Sequence, residues 1–268
     1  MNWSKSTFLL LAFIISFFAH SQCNDVYYSD LDGTNGVLLE GSESSSNFGY
    51  DAASAGDING DGINDILVTA SVADHPVSGL QNVGSVYVIF GGAGLSSPFA
   101  PATLYGTNGF RINGVLEDEY LGTSANTIGD FNNDGIDDLI VGLYGYSDDL
   151  GAAMVLYGST DPFPANVSYA DLDGTNGFLI RGEIAGGQFG LESDGLGDVN
   201  GDGIPDIIIG AHMSRIDNNS NSGVAEGEKP MCFMEEIILD LLSMLQILME
   251  QMDSLYEVIQ AYQIWVIK

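Results

Sequence analysis

The sequence predicts an all-β fold, a partial β-propeller of three blades, followed by a C-terminal tail of different character. Three observations carry this expectation. A unit with a Gly-Thr-Asn-Gly core recurs three times, starting at Gly33, Gly106 and Gly174, so that the spacings are 73 and 68 residues. Each unit holds a short apolar run bounded by Gly, Asn and Asp: Ile66-Leu67-Val68, Leu139-Ile140-Val141 and Ile207-Ile208-Ile209. Such runs read as buried strands. Finally, 35 of the 268 residues are glycine without a collagen-like period, which asks for many tight turns and hence many short strands.

A repeat of this length is one supersecondary unit that must stack on its neighbours to bury its faces. Its parts recur in a fixed order. After the Gly-Thr-Asn-Gly block comes Phe48-Gly49, Leu121-Gly122 or Phe189-Gly190, each starting nine residues before an aspartate: Asp57, Asp130, Asp198. An acidic loop follows, then the apolar run, then a strand ending in glycine, as in residues 86–92 (VYVIFGG) and 153–159 (AMVLYGS). The segment before the first acidic loop, Asp51-Ala52-Ala53-Ser54-Ala55, is made of small residues and suits the inner strand of a radial blade. Four strands per unit, repeated around an axis, is the propeller pattern, with a layered solenoid as its plainer alternative.

Composition narrows the function. With 6 Lys+Arg against 37 Asp+Glu, the net charge of −31 repels nucleic acid and anionic membrane surfaces, and neither is expected as a partner. Charged residues are nevertheless only 16% and hydrophobic ones 45%, so the chain can build a core. The N-terminus reads as a cleaved secretory signal over residues 1–21. Lys5 gives the positive start, Phe8 to Phe18 the apolar core, and Ala19-His20-Ser21 the small residues before a cut at Gln22. That apolar core is too short to span a bilayer. The mature chain keeps only Cys23 and Cys232, which excludes a disulfide framework.

The acidic loops carry the chemistry. Residues 57–65 (DINGDGIND), 130–138 (DFNNDGIDD) and 198–206 (DVNGDGIPD) all read Asp-x-Asn-x-Asp-Gly-x-x-Asp. Side-chain oxygens stand at positions 1, 3, 5 and 9, position 7 can offer a backbone carbonyl, and Gly62, Gly135 and Gly203 permit the sharp turn at position 6. One ion is expected on Asp57, Asn59, Asp61, the Ile63 carbonyl and Asp65. A second is expected on Asp130, Asn132, Asp134, the Ile136 carbonyl and Asp138, and a third on Asp198, Asn200, Asp202, the Ile204 carbonyl and Asp206. Oxygen ligands without His or Cys favour Ca²⁺ over zinc or copper, so about three structural Ca²⁺ ions are expected. Position 12 is Val68, Val141 or Ile209 rather than Glu, so the loop joins two strands and is not an EF-hand. The plain alternative is an Asx-rich turn without metal.

The Phe-Gly pairs, the acidic loops and the Gly210-Ala211 that follows the third together resemble FG-GAP repeats, the blades of the integrin α-chain N-terminal β-propeller. The resemblance covers roughly residues 30–228. It departs at Thr69-Ala70 and Gly142-Leu143, and the proline of the motif is replaced by Ser71, Tyr144 and His212. It implies a secreted or cell-surface module for adhesion or recognition of an extracellular protein or glycan, with Ca²⁺ stiffening each blade and no catalysis of its own. In that family propellers usually have seven blades and ligands meet variable loops.

Residues 22–228 are thus read as the blades and 229–268 as something foreign. Residues 231–268 contain neither Gly nor Pro and concentrate Met, Leu, Ile and Gln, so at face value they form a long amphipathic helix. Read two bases later, however, the codons for Lys229 to Glu235 are compatible with Ala-Tyr-Val-Phe-Tyr-Gly, the strand that the third repeat lacks. Those for Met249 to Asp253 are compatible with a further Gly-Thr-Asn-Gly. The tail is therefore read as a frameshifted continuation.

No nucleophile, zinc or phosphate-loop motif is present. His75 and His212 follow apolar runs without an evident partner. Glu117, Asp118 and Glu119 read as a solvated turn, and Arg111 and Arg181 as sharing one strand position with structural contacts. Two rival readings are an accessory propeller segment of a larger secreted hydrolase and a truncated, non-functional gene product.

Overall fold

In the computed structural model the described residues are 27–33, 35–41, 43, 45–92, 95, 97–214 and, as backbone, 263–267. The signal segment 1–21 and most of the tail lie outside them. The described residues form three sheets, antiparallel but for one short strand, each built as one propeller-type blade. The first contains β1 (Phe48–Gly56), β2 (Asp65–Ala70), β3 (Ser85–Ile89) and β4 (Gly109–Asn113), in that order. The second contains β5 (Ala125–Gly129), β6 (Asp138–Leu143) and β7 (Ala152–Leu156). A short strand, β8 (Asn166–Ser168), instead joins the first sheet, parallel to β4, before β9 (Gly177–Arg181) closes the second. The third sheet is β10 (Phe189–Gly197), β11 (Asp206–Ala211) and β12 (Gln263–Ile267). Of the tail, residues 263–267 are thus strand rather than helix, in antiparallel register from Ile207↔Ile267 to Ala211↔Gln263.

The strands form where the apolar runs predicted them, because each second strand is covered on both faces. Leu67, Leu139, Ile140, Val141, Ile207 and Ile209 are fully buried. Full burial of such a side chain contributes roughly 1.5–3 kcal/mol. One core joins the first two blades through Leu67, Val86, Val88, Phe110, Leu139, Val141 and Met154. A second lies between the second and third blades around Ile140, Val155, Phe189 and Ile207.

The small residues of the first strand of each blade are explained by close approach. β5 lies between β1 and β10. The Ala125 N–H donates to Asp51 Oδ2 at 3.2 Å. The Ser124 and Ser193 hydroxyls are 2.8 Å apart, and Asn126 Nδ2 donates to the Ser193 carbonyl.

The structural repeat is phased differently from the sequence unit. The second and third Gly-Thr-Asn-Gly turns lead into the outer strand of the preceding blade: β4 pairs with β3, and β9 with β7. The asparagine holds this turn. Its Oδ1 accepts the N–H three residues back (Asp32, Tyr105, Asp173) and its Nδ2 donates to the carbonyl five back (Asp30, Thr103, Asp171).

Two expectations need correction. Arg111 is the third residue of β4 and Arg181 the fifth of β9, so they share a face but not a position. Both make structural contacts, Arg111 over the Tyr87 ring and to Ser85, Arg181 over the Tyr146 ring and to its hydroxyl. Glu119 is not solvated: it is 1% exposed, while Glu117 and Asp118 are exposed. Its Oε2 accepts the Val115 and Leu116 N–H groups and its Oε1 the Tyr169 hydroxyl.

Candidate metal centre

The three acidic loops join the first and second strands of their blades, β1–β2, β5–β6 and β10–β11. Their backbones agree: Gly62, Gly135 and Gly203 have φ of +87°, +92° and +90°, a region open to glycine without penalty. This turn draws the side chains inward. In the first loop, Asp57 Oδ1 and Asn59 Oδ1 both accept the Asp61 N–H at 2.9 Å. Asp57 Oδ2 accepts the Gly62 N–H at 2.8 Å, and Asp61 Oδ1 the Ile63 N–H at 2.9 Å. The second loop repeats this set with Asp130, Asn132 and Asp134. The third does so with Asp198, Asn200 and Asp202. Positions 1, 3 and 5 are therefore brought together as the sequence predicts.

Position 9 behaves otherwise. Asp65, Asp138 and Asp206 are buried and serve as struts beneath the loop. Asp65 Oδ2 accepts the Ile58 N–H and its Oδ1 the Gly91 N–H at 2.7 Å. Asp138 Oδ2 accepts the Phe131 and Asn132 N–H groups and its Oδ1 the Gly158 N–H at 2.8 Å. Gly91 and Gly158 follow the third strand, so in two blades this carboxylate ties loop, second strand and third strand together. In the third blade, Asp206 Oδ1 instead accepts Asn200 Nδ2 at 3.1 Å, and Oδ2 takes the Val199 N–H. Burial pushes the carboxyls of Asp65 and Asp138 up to about 6, against the pull of their backbone donors. The charges of Asp61 and Asp57 push Asp65 further in the same direction.

Among the described residues no group of three or more His, Cys, Asp and Glu side chains forms a ready metal cage. The donor set nevertheless fits a hard cation. It is all oxygen, the side chains of positions 1 and 3 converge on one N–H group, and its buried carboxylates are ones a cation would hold in the charged form. Asp57, Asn59, Asp61 and their counterparts would hold it, with Asp65, Asp138 and Asp206 as the deepest oxygens.

One contact was not legible in the sequence: Asp137 accepts the Asp57 N–H on its Oδ2 at 2.8 Å across the blade boundary. Its only signal is a fourth acid in the second loop, beside Asp130, Asp134 and Asp138. His75, by contrast, is a turn residue whose Nδ1 accepts the Val77 and Ser78 N–H groups, and His212 is exposed.

A model described as the FG-GAP repeat matches residues 48–89 and 192–225. The unmatched second unit, with Leu121 where the others have phenylalanine, folds in the same way. The chain is 31% identical to integrin alpha-5 of Xenopus laevis over 195 residues, which cover 69% of this chain and 17% of that protein. It is 30% identical to integrin alpha-PS2 of Drosophila melanogaster over 173 residues, covering 62% of this chain and 12% of that one. With human integrin alpha-IIb it shares 30% identity over 194 residues, covering 70% and 16%. The chain thus spans less than a fifth of the length of these relatives.

Proposed function

From a chain that carries integrin alpha-like FG-GAP repeats, we infer a secreted or cell-surface module that binds Ca²⁺ in its three acidic loops and recognises an extracellular protein or glycan, without catalysis of its own. The observation that carries the cation reading is the recurrence of one loop geometry at 57–65, 130–138 and 198–206, down to the same N–H groups meeting the same oxygens. Three carboxylates in each loop repel one another, and a divalent ion offsets that repulsion while adding folding free energy by mass action. The ion supplies charge and a rigid oxygen shell; the chain's residues orient it. Recognition is assigned from the likeness to the integrin alpha chains. The net charge of −31 disfavours polyanions as ligands. Among the described residues no helix is long and apolar enough to cross a membrane.

Calorimetric titration with CaCl₂ tests the reading, together with melting in the presence and absence of chelator. Calcium uptake at millimolar concentration or below, and a melting temperature several degrees lower in chelator, are expected. No uptake and an unchanged melting curve reject it.

Residues 229–268 remain proposed as a frameshifted continuation. Sequencing the locus tests it: an intact reading frame with no blade-like sequence in the shifted one refutes the idea.

A further inference from the structure

We propose that Asp137 is a positioning residue for the first cation loop, so that the first loop's affinity for Ca²⁺ depends on the second blade while the second loop's affinity does not depend on the third. This rests on the cation reading above. Its basis is a clasp between blades. Asp137 Oδ2 accepts the Asp57 N–H at 2.8 Å, and the Asp137 N–H returns to the Asp57 carbonyl at 3.4 Å. The Ser159 N–H, also from the second blade, donates to the Ile58 carbonyl at 2.9 Å. The first two residues of the loop are therefore held from outside their own blade.

The held residue is the one that matters most inside the loop. Asp57 directs Oδ1 to the Asp61 N–H and Oδ2 to the Gly62 N–H, so both oxygens line the turn. A partner that fixes a ligand's orientation acts on affinity without touching the ion. The preceding glycine makes room for the clasp: a Cβ built on Gly56 would stand 2.3 Å from Asp137 Oδ2.

Among the described residues the neighbouring boundary lacks the device. The residue equivalent to Asp137 in the third loop is Pro205, which has neither a carboxylate to accept nor an N–H to return. It faces Gly129 with its ring alone, 3.3 Å from a Cβ built there. The asymmetry follows from one residue type at one repeat position.

The test uses the full chain, CaCl₂ as the probe, and the amide signals of Gly62 and Gly135 as separate reporters of the first and second loops. In Asp137→Ala the Gly62 midpoint is expected to move to roughly tenfold higher Ca²⁺, as for a lost outer partner of a ligand. The Gly135 midpoint moves less. Asp137→Asn keeps an acceptor oxygen and holds the Gly62 midpoint close to that of the parent. Equal shifts at both loops in both variants, or no shift at Gly62 in Asp137→Ala, overturn the proposal. Exchange of the Asp57 amide in chelator provides a reading without metal: it speeds up in Asp137→Ala, or in the milder Asp137→Ser if the alanine variant does not fold. Unchanged exchange also overturns the clasp. A parent protein whose glycine signals ignore Ca²⁺ while the Asp57 amide stays protected defeats the cation reading and not the clasp itself.

Discussion

Gly151 and Phe189 form a parallel β-bridge across the joint between the second and third blades, and Gly84 and Leu121 form its counterpart between the first and second. Leu121 and Phe189, the leading residues of the second and third pairs, are therefore pegs, each seated on a glycine before the third strand of the blade before it. A Cβ on Gly151 would lie 2.0 Å from the Phe189 carbonyl oxygen, and one on Gly84 2.1 Å from that of Leu121. Both glycines also have positive φ, +79° and +77°. Gly151→Ala is expected to cost about 2–3 kcal/mol by combining backbone strain with the collision. Urea unfolding checks it; a loss no larger than that of Gly49→Ala, which has positive φ but open space, would contradict the peg.

Gly56 makes a related prediction at the acidic end of the blades. Its φ is +64° and the space for a Cβ is filled by the Asp137 carboxylate. Gly56→Ala should destabilise by about 1–3 kcal/mol. The double variant Gly56→Ala with Asp137→Ala should lose less than the sum of the two, since the collision is relieved. A double-mutant cycle in urea reads this directly.

Glu119 sits beside the joint between the first and second blades and serves three donors at once, the Val115 and Leu116 N–H groups and the Tyr169 hydroxyl. Replacing it with alanine leaves them without that acceptor and is expected to cost about 1–3 kcal/mol. Glu119→Gln keeps one acceptor oxygen and should cost less. Equal midpoints for both variants would show that the carboxylate is not holding the turn.

Tyr169 links the same joint to pH. Burial raises its hydroxyl above the ordinary value of 10.0, and the hydrogen bond to Glu119 and that residue's charge raise it further. The folded state therefore holds a proton that the unfolded chain releases once the pH passes 10. Its contribution to stability is fully present below that pH and is lost as the pH rises beyond it. Tyr169→Phe should flatten the fall in stability on the alkaline side of pH 10. Parallel urea midpoints for parent and variant across that pH would count against the assignment.

Much of the candidate site was legible because its chemistry is local. Asp57, Asn59 and Asp61 meet within a five-residue turn, and the spacing of oxygen side chains around Gly62 is visible in any one repeat. The sequence places the ninth position among the oxygens of the loop, but its part as a strut leaves no local mark. Its second partner, Gly91 or Gly158, arrives from the end of another strand. Glu119 was misread for the same reason. In a run of three acids nothing local marks the one that turns inward to meet Tyr169, 50 residues away.

What the amino-acid order settled alone is whatever one repeat can state to itself: short strands, the oxygen-lined turns, and small residues where inner strands approach. These depend on spacing and side-chain type over a few residues. Only the folded chain decided which blade each closing strand joins, and that Asp137 rather than Pro205 clasps its neighbour. Those choices rest on hydrogen bonds between residues far apart in the chain, and such pairing leaves no periodic trace in the sequence.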